Sequence, residues 1–247
     1  MSSYVDFSRF YDELTRDVDY KKRTDYLCEI FKKYGKMPTL LLDLACGTGG
    51  FSLQFAGKGM QVIGVDASEN MLSVAAEKSA ESGLNILFLC QKAECLDLYG
   101  TVDGAVCCLD SLNHITDYKN LTKAFSRAAL FLEKDSLFIF DVNTEYKHSV
   151  VLGNNTFVRE TEDVFCVWQN TYNAKKRLTE INLDFFLQNN GAYSRYSESF
   201  FERAYTDGEL AKALQSANLK VEAVFDELTF NPPSQSSQRL IYVTRKV

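Results

Sequence analysis

Apolar positions along the chain fall into three successive patterns. Over the first 35 residues they recur at helical spacing. Phe7, Phe10, Tyr11 and Leu14 sit at i, i+3, i+4 and i+7, and a second stripe, Tyr26, Leu27, Ile30, Phe31 and Tyr34, ends at Gly35. From residue 39 the pattern changes to short continuous apolar runs at 39–44, 61–66, 85–89, 102–109 and 136–141. Helical segments at 50–56, 68–80 and 118–130 separate most of them. Apolar runs alternating with helices predict a parallel sheet covered on both faces. Past Asn143, the stretches 163–172, 178–186 and 193–204 are rich in aromatic and β-branched residues. Asn173-Ala174-Lys175-Lys176 and Asn189-Asn190-Gly191 separate them as turns, so they predict an antiparallel meander. A helix over 207–217 follows, with Thr206 as N-cap and Glu209 three residues on. Two last strands, 220–228 and 239–244, are joined through Asn231-Pro232-Pro233-Ser234. The meander therefore reads as an insertion into an α/β domain.

The chain has 247 residues, 46% hydrophobic and 24% charged, enough for one large domain or one with a small appendage. Its net charge of -6 gives no general attraction for phosphate backbones, which argues against nucleic acid as a partner. Lys21-Lys22-Arg23 and Lys175-Lys176-Arg177 read as a solvated face and a hairpin turn. No apolar run reaches the roughly 18 residues of a membrane span, and the N-terminus lacks a secretion signal. The seven Cys form no CxxC pair and most lie in apolar runs, as expected of buried free thiols in a cytoplasmic protein. With only two His and no clustered ligand spacing, no metal is expected. Monomer and homodimer both remain open.

Candidate chemistry concentrates where the first run stops, at Leu41-Leu42-Asp43-Leu44-Ala45-Cys46-Gly47-Thr48-Gly49-Gly50. A strand followed by a glycine turn and a helix places a ligand site at the carboxyl end of an open sheet. Asp43 opposes a pyrophosphate and favours an ammonium or sulfonium. The second run ends in Asp66, 19 residues after Gly47, where a carboxylate can take both hydroxyls of a ribose. A nucleoside joined to a cation, without phosphate, describes S-adenosylmethionine. The rival reading, a nicotinamide-type oxidoreductase, needs G-x-G-x-x-G, and Ser52 stands at the third glycine position.

Asp43-Leu-Ala-Cys-Gly-Thr-Gly, followed by Val-Ile-Gly-Val-Asp-Ala-Ser and Met71, resembles the first two motifs of class I S-adenosylmethionine-dependent methyltransferases. The resemblance covers about residues 37–143 and resumes over 206–247. It implies a Rossmann-like, seven-stranded, mostly parallel sheet with helices on both faces and an antiparallel last strand. It implies residues 1–36 as an N-terminal helical cap, 37–143 with 206–247 as the cofactor domain, and 144–205 as an inserted β region over the substrate. It further implies that Asp43 and the backbone at Ala45, Gly47 and Gly49 hold the methionine end of S-adenosylmethionine, or of the product S-adenosylhomocysteine. Asp66 would hold the ribose, and Ala67 and Met71 would flank the adenine. Lys92 stands where the family often has an acidic residue, leaving the Ala93 backbone or Glu94 to meet the adenine amine.

The loop Leu109-Asp110-Ser111-Leu112-Asn113-His114 resembles that of glycine N-methyltransferase and its relatives, which implies Leu109 and Asp110 beside the cofactor. Asp110 is a candidate base, with an N-cap or a carboxylate facing the sulfonium as alternatives. His114 is a candidate acid–base group or a capping residue. His148 is expected in a loop. Asp141 and Asn143 close the fifth run and could face substrate or metal. The N-terminal stretch resembles the tyrosine-rich leader of a bacterial subset of the family, which implies Tyr11 and Tyr20 over the cofactor. The same subset has a β-insertion ending like Glu198-Ser-Phe-Phe-Glu-Arg203-Ala-Tyr205-Thr206, with His where this chain has Phe200. Alternation along that strand puts Glu198, Phe200 and Glu202 on one side. The reading is methyl transfer to a small-molecule acceptor through N, O or C. An RNA or ribosomal acceptor, and a non-catalytic binder of the cofactor, are the alternatives.

Overall fold

A computed structural model describes residues 11–12, 15–161, 164–189 and 192–247. Phe7, Phe10 and Leu14 of the first stripe lie outside the described residues. The second stripe is helix α1 (Tyr20–Tyr34), opened by Asp19, whose side chain accepts from the Lys22 N–H, and closed at Gly35. Then follow β1 (Leu40–Leu44), α2 (Gly50–Gly57), β2 (Gln61–Asp66), α3 (Glu69–Glu81), β3 (Leu87–Cys90), β4 (Val102–Cys107), α4 (Tyr118–Phe131) and β5 (Leu132–Asn143). The inserted strands are β6 (Thr156–Glu160), β7 (Val164–Asn173), β8 (Leu178–Asn189) and β9 (Ala192–Arg203). The chain closes with α5 (Asp207–Ser216), β10 (Leu219–Asp226) and β11 (Arg239–Lys246).

The main sheet has seven strands in the order β10-β11-β5-β4-β1-β2-β3. β1, β2, β3, β4 and β5 pair in parallel, while β11 runs antiparallel to both β5 and β10. The apolar runs are continuous because each strand feeds two cores. Leu41, Val106 and Ile139 pack with Ile30 and Phe31 of α1 and Phe51 and Phe55 of α2. Leu42, Leu44, Phe138 and Phe140 pack with Phe125 of α4 and Leu210 and Leu214 of α5. The Thr206 side chain and Glu209 form the expected reciprocal cap at the start of α5.

The insertion is a second, four-stranded antiparallel sheet in the order β6-β7-β8-β9. The sequence pattern gives three of these strands. β6 escapes it because it has five residues, Thr-Phe-Val-Arg-Glu, with only two strong apolar positions. Residues 147–152, expected as a loop around His148, form a turn of π-helix, and His148 is buried within it. Among the described residues, no helix is long and apolar enough to cross a membrane. All seven cysteines are free thiols; Cys28, Cys107, Cys108 and Cys166 are buried, Cys46 is half-buried, and Cys90 and Cys95 are exposed.

Candidate functional site

The carboxyl ends of β1, β2 and β4 open into one cleft, where the strand order reverses beside β1, the place such sheets bind ligands. The turn after β1 is tightly specified. Gly49 has φ +79°, and a Cβ there would stand 3.0 Å from the Ala75 side chain on α3. Asp66, at the end of β2, accepts from the Gly47 N–H (2.9 Å) and the Ser68 N–H (2.9 Å), tying this turn to the start of α3. Asp43 is buried, and the Ser52 hydroxyl donates to it at 2.5 Å. Burial pushes the Asp43 carboxyl up to about 6, against the lowering effect of Ser52 and with a smaller push from Asp66.

The cleft has a volume of about 810 Å³ and is lined by Gly47, Asp66, Met71, Ala93, Leu109, His114 and Phe200 among others. A small inner recess of about 20 Å³ adjoins it, lined by Tyr11, Tyr20, Asp43, Gly47, Cys108 and Leu109. Tyr11, Ala45, Gly47, Leu109 and Ser111 line both.

The wall opposite the glycine turn is strained and heavily pinned. Leu109 and Asp110 are consecutive non-glycine residues in the left-handed region, with φ +55° and +53°. Such backbone costs about 1–3 kcal/mol per residue unless its surroundings hold it. Asp141 holds it by accepting from the Leu109 N–H (2.8 Å) and the Asp110 N–H (2.6 Å). Arg239 then bridges Asp141 (2.8 Å) and Asp110 (2.9 Å), and its Nε reaches Glu227 (3.1 Å). Glu227 also pairs with Arg23 of α1 at 2.7 Å, so the chain of charges ends on the helical cap. Asn143 donates to the other Asp110 oxygen at 2.6 Å, and Lys147 donates to Asn143 at 2.9 Å. Burial alone would raise the Asp110 carboxyl, but Arg239, Lys147 and His114 outweigh it and hold it well below the usual carboxylate range.

Beside this network, Glu202 lies between the two histidines of the chain. His114 Nε2 is 3.6 Å from one carboxylate oxygen and His148 Nε2 is 3.7 Å from the other. Phe200 lies against the His114 ring, 5.0 Å between centroids. Asp110, His114 and Glu202 bring donor atoms within 4.8 Å of one another. Arg239 and Asn143 already occupy the Asp110 carboxylate, which leaves that cluster short of a free charged ligand for a cation.

A family model described as a methyltransferase domain matches residues 41–135. The chain is 32% identical to "Putative methyltransferase YqeM" of Bacillus subtilis over 98% of this chain and 97% of that one. The crystal structure of an S-adenosylmethionine-dependent methyltransferase from Clostridium acetobutylicum covers 98% of both chains at 34% identity, with a TM-score of 0.89. This chain belongs to the S-adenosylmethionine-dependent methyltransferases. At 16% identity, the S-adenosylmethionine-bound structure of CalS10, an amino pentose methyltransferase from Micromonospora echinaspora, shares the fold with a TM-score of 0.75.

The cofactor of this methyltransferase is S-adenosylmethionine, and the residues present fit it. Among the described residues no cation pairs with Asp43, so a buried carboxylate without a cationic partner lines the inner recess, a setting that fits an ammonium. Asp66 has its carboxylate at the cleft wall, and the cleft is large enough for a nucleoside with room beyond it.

The methyltransferase cleft brings together most of the residues expected from the sequence. Tyr11, Ala45, Gly47, Asp66, Ala67, Met71, Ala93, Glu94, Leu109 and His114 line it, and Tyr20 and Asp43 line its recess. Lys92 lines it as well. Two expected residues stand behind the wall instead. Gly49 shapes the turn and packs on α3. Asp110 stands at the N-cap position of the short 3₁₀ turn Ser111–His114, but its side chain makes no capping hydrogen bond and faces Arg239 and Asn143 instead, an ionic setting that makes it a poor proton acceptor. Sequence reading missed Arg239, Lys147 and the pairing of Glu202 with both histidines. A lone arginine opening the apolar strand β11 was the available signal for the first; the others have none, because their partners come from distant segments.

Proposed function

We propose that this methyltransferase acts on a small-molecule acceptor, in the cytoplasm, as a monomer or homodimer. The observation that carries the reading is the position of the inserted sheet. Phe200 of β9 forms part of the cleft wall next to His114, which supports an acceptor end bounded on one side by the insertion. The acidic net charge of -6 supports the same reading over an RNA acceptor. In this division of labour, residues 1–36 cap the site, 37–143 and 206–247 hold the cofactor, and 144–205 shape the acceptor pocket.

Bound cofactor supplies an electrophilic methyl group on a sulfonium that leaves without assistance. The protein's tasks are therefore alignment, exclusion of water and, for N–H or O–H acceptors, removal of a proton. Asp43 takes the amino group at the inner recess, Asp66 the ribose hydroxyls, and Ala67, Met71, Ala93 and Glu94 surround the base. Tyr11 and Tyr20 close over the methionine end. The pinned loop at Leu109 and Asp110 forms the wall beside the transferring group. His114, half exposed in the cleft, is the group placed to take a proton from the acceptor. The test is transfer of radiolabelled methyl from S-adenosylmethionine into fractions of a lysate. Label in the small-molecule fraction that disappears with Asp66→Ala supports the reading; label confined to RNA or protein overturns it.

A further inference from the structure

Glu202 is a buried carboxylate set at the junction of β9 with the cofactor domain, and it does not itself line the cleft. Five neighbours converge on it. Asp110 and His114 come from the loop after β4, Asn143 and Lys147 from the end of β5 and beyond, and His148 from the π-helical turn. Thr179 stands directly opposite on β8, and its hydroxyl lies 2.8 Å from His148 Nδ1. Burial, followed by Asp110, raises the Glu202 carboxyl, while His114 and Lys147 act the other way.

His148 is fully buried, and burial lowers it to about 4, so it is neutral at physiological pH and carries a single ring proton. The Thr179–Nδ1 hydrogen bond can run in either direction; taking the hydroxyl as donor places the ring proton on Nε2, 3.7 Å from Glu202. His148 Nε2 is buried without a hydrogen-bond partner, and the Glu202 carboxylate, at 3.7 Å, is the acceptor that faces it. His114 presents the same atom to the other oxygen, while Phe200 beside its ring restricts rotation. Among the described residues nothing hydrogen-bonds His114 Nδ1.

We propose that Glu202 is a positioning residue for methyl transfer: its carboxylate, 3.6 and 3.7 Å from the two Nε2 atoms, draws the N–H of each histidine toward it and so favours His114 protonated on Nε2, with Nδ1 bare as the proton acceptor. His148 and Thr179 fix the Glu202 carboxylate from behind. The proton released by an N–H or O–H acceptor as its lone pair bonds the methyl carbon passes to His114 Nδ1, and the C–S electron pair remains on sulfur. The inference rests on His114 as the base proposed above.

Because the chain has two histidines, protein labelled with 15N-histidine yields four ring nitrogens. At pH 8 the expected spectrum has both imidazoles protonated on Nε2, with N–H resonances shifted downfield by hydrogen bonding to a carboxylate. Glu202→Met should abolish both downfield shifts, and Glu202→Gln, which keeps one carbonyl acceptor, should retain one at most. The tautomer alone does not decide, since free imidazole already favours Nε2–H; the hydrogen-bonded shift does. S-adenosylhomocysteine affinity and the melting temperature of the Met variant report whether it is folded, and the affinity should stay within about twofold of the parent. His114 protonated on Nδ1, or shifts indifferent to Glu202 in a folded variant, overturns the proposal. So does manganese broadening of the His114 signals that Glu202→Met removes, which would assign the cluster to a cation. Failure of the parent protein to bind S-adenosylhomocysteine would instead strike the cofactor site and leave the histidine spectrum to be read on its own.

Discussion

Lowering the pH from 7 to 5 should weaken cofactor binding about tenfold, through Asp43 alone. The carboxyl sits near 6 in the free protein because burial penalises its charge. A bound ammonium requires the charged form. At pH 7 about nine-tenths of the molecules carry it, and at pH 5 about one in eleven, so the apparent dissociation constant rises by that ratio. Below 6 the logarithm of the affinity should fall with a slope approaching one per pH unit. Asp43→Asn removes the charge, costing about 1.5–3 kcal/mol of binding, roughly 10- to 150-fold, and should flatten the profile. Stability moves the other way. A folded-state value near 6 against an ordinary 3.8 means the folded protein holds a proton that the unfolded chain has released. Stability from this group therefore falls as pH rises through 4 to 6, by about 3 kcal/mol, and that loss is complete at neutral pH. The Asn variant should then melt several degrees above the parent at pH 7 without ligand, while binding S-adenosylhomocysteine worse. Isothermal calorimetry across pH 5–8, with melts of both proteins, checks the pair of outcomes. An affinity that stays flat between pH 7 and 5, or an Asn variant that binds like the parent, would refute the reasoning.

Three further outcomes follow from the geometry. Asp66→Ala removes the ribose ligand proposed above and also strands the Gly47 and Ser68 N–H groups, so S-adenosylhomocysteine binding should weaken by at least tenfold; an unchanged calorimetric constant would remove Asp66 from the site. Arg239→Met leaves Asp110 and Asp141 buried without their shared cation, with an expected loss of about 3–5 kcal/mol in urea unfolding at pH 7; a loss under about 1 kcal/mol would show the network to be dispensable. Gly50→Ala would put a Cβ 2.4 Å from the Tyr20 ring, which should destabilise the protein by about 1–3 kcal/mol. Tyr20→Ala in the same chain should recover most of that loss, and simple additivity of the two substitutions would contradict the contact.

The fold was legible because each element of the main sheet carries a local signal strong enough to survive without its neighbours. Leu41 and Leu42 both read as buried, and they are, on opposite faces of one strand. Thr206 and Glu209 marked the start of α5 by a cap that needs only four residues. The failures have the same logic in reverse. β6 is a strand because β7 pairs with it from Thr156 to Glu160, and five residues of mixed polarity announce nothing by themselves.

The candidate site divides along that same line. Its cofactor half is written in two contiguous motifs, so Asp43, Gly47 and Asp66 could be placed by spacing within 24 residues. Its acceptor half is assembled from afar. Asp110 meets an arginine in the last strand, and Glu202 meets histidines from two other segments. No period or spacing links these positions; they meet because β11 inserts beside β5, and because β9 returns to the sheet just ahead of α5. Charge on Asp110 is thereby committed to holding a strained loop, and the acid–base role proposed above falls to His114, which stands beside Glu202. Asp110, the carboxylate that best resembled a base in the sequence, is thus bound to Arg239 and Asn143 in the tertiary structure. Its substitute could be recognised only once β9 was seen beside the loop that carries His114.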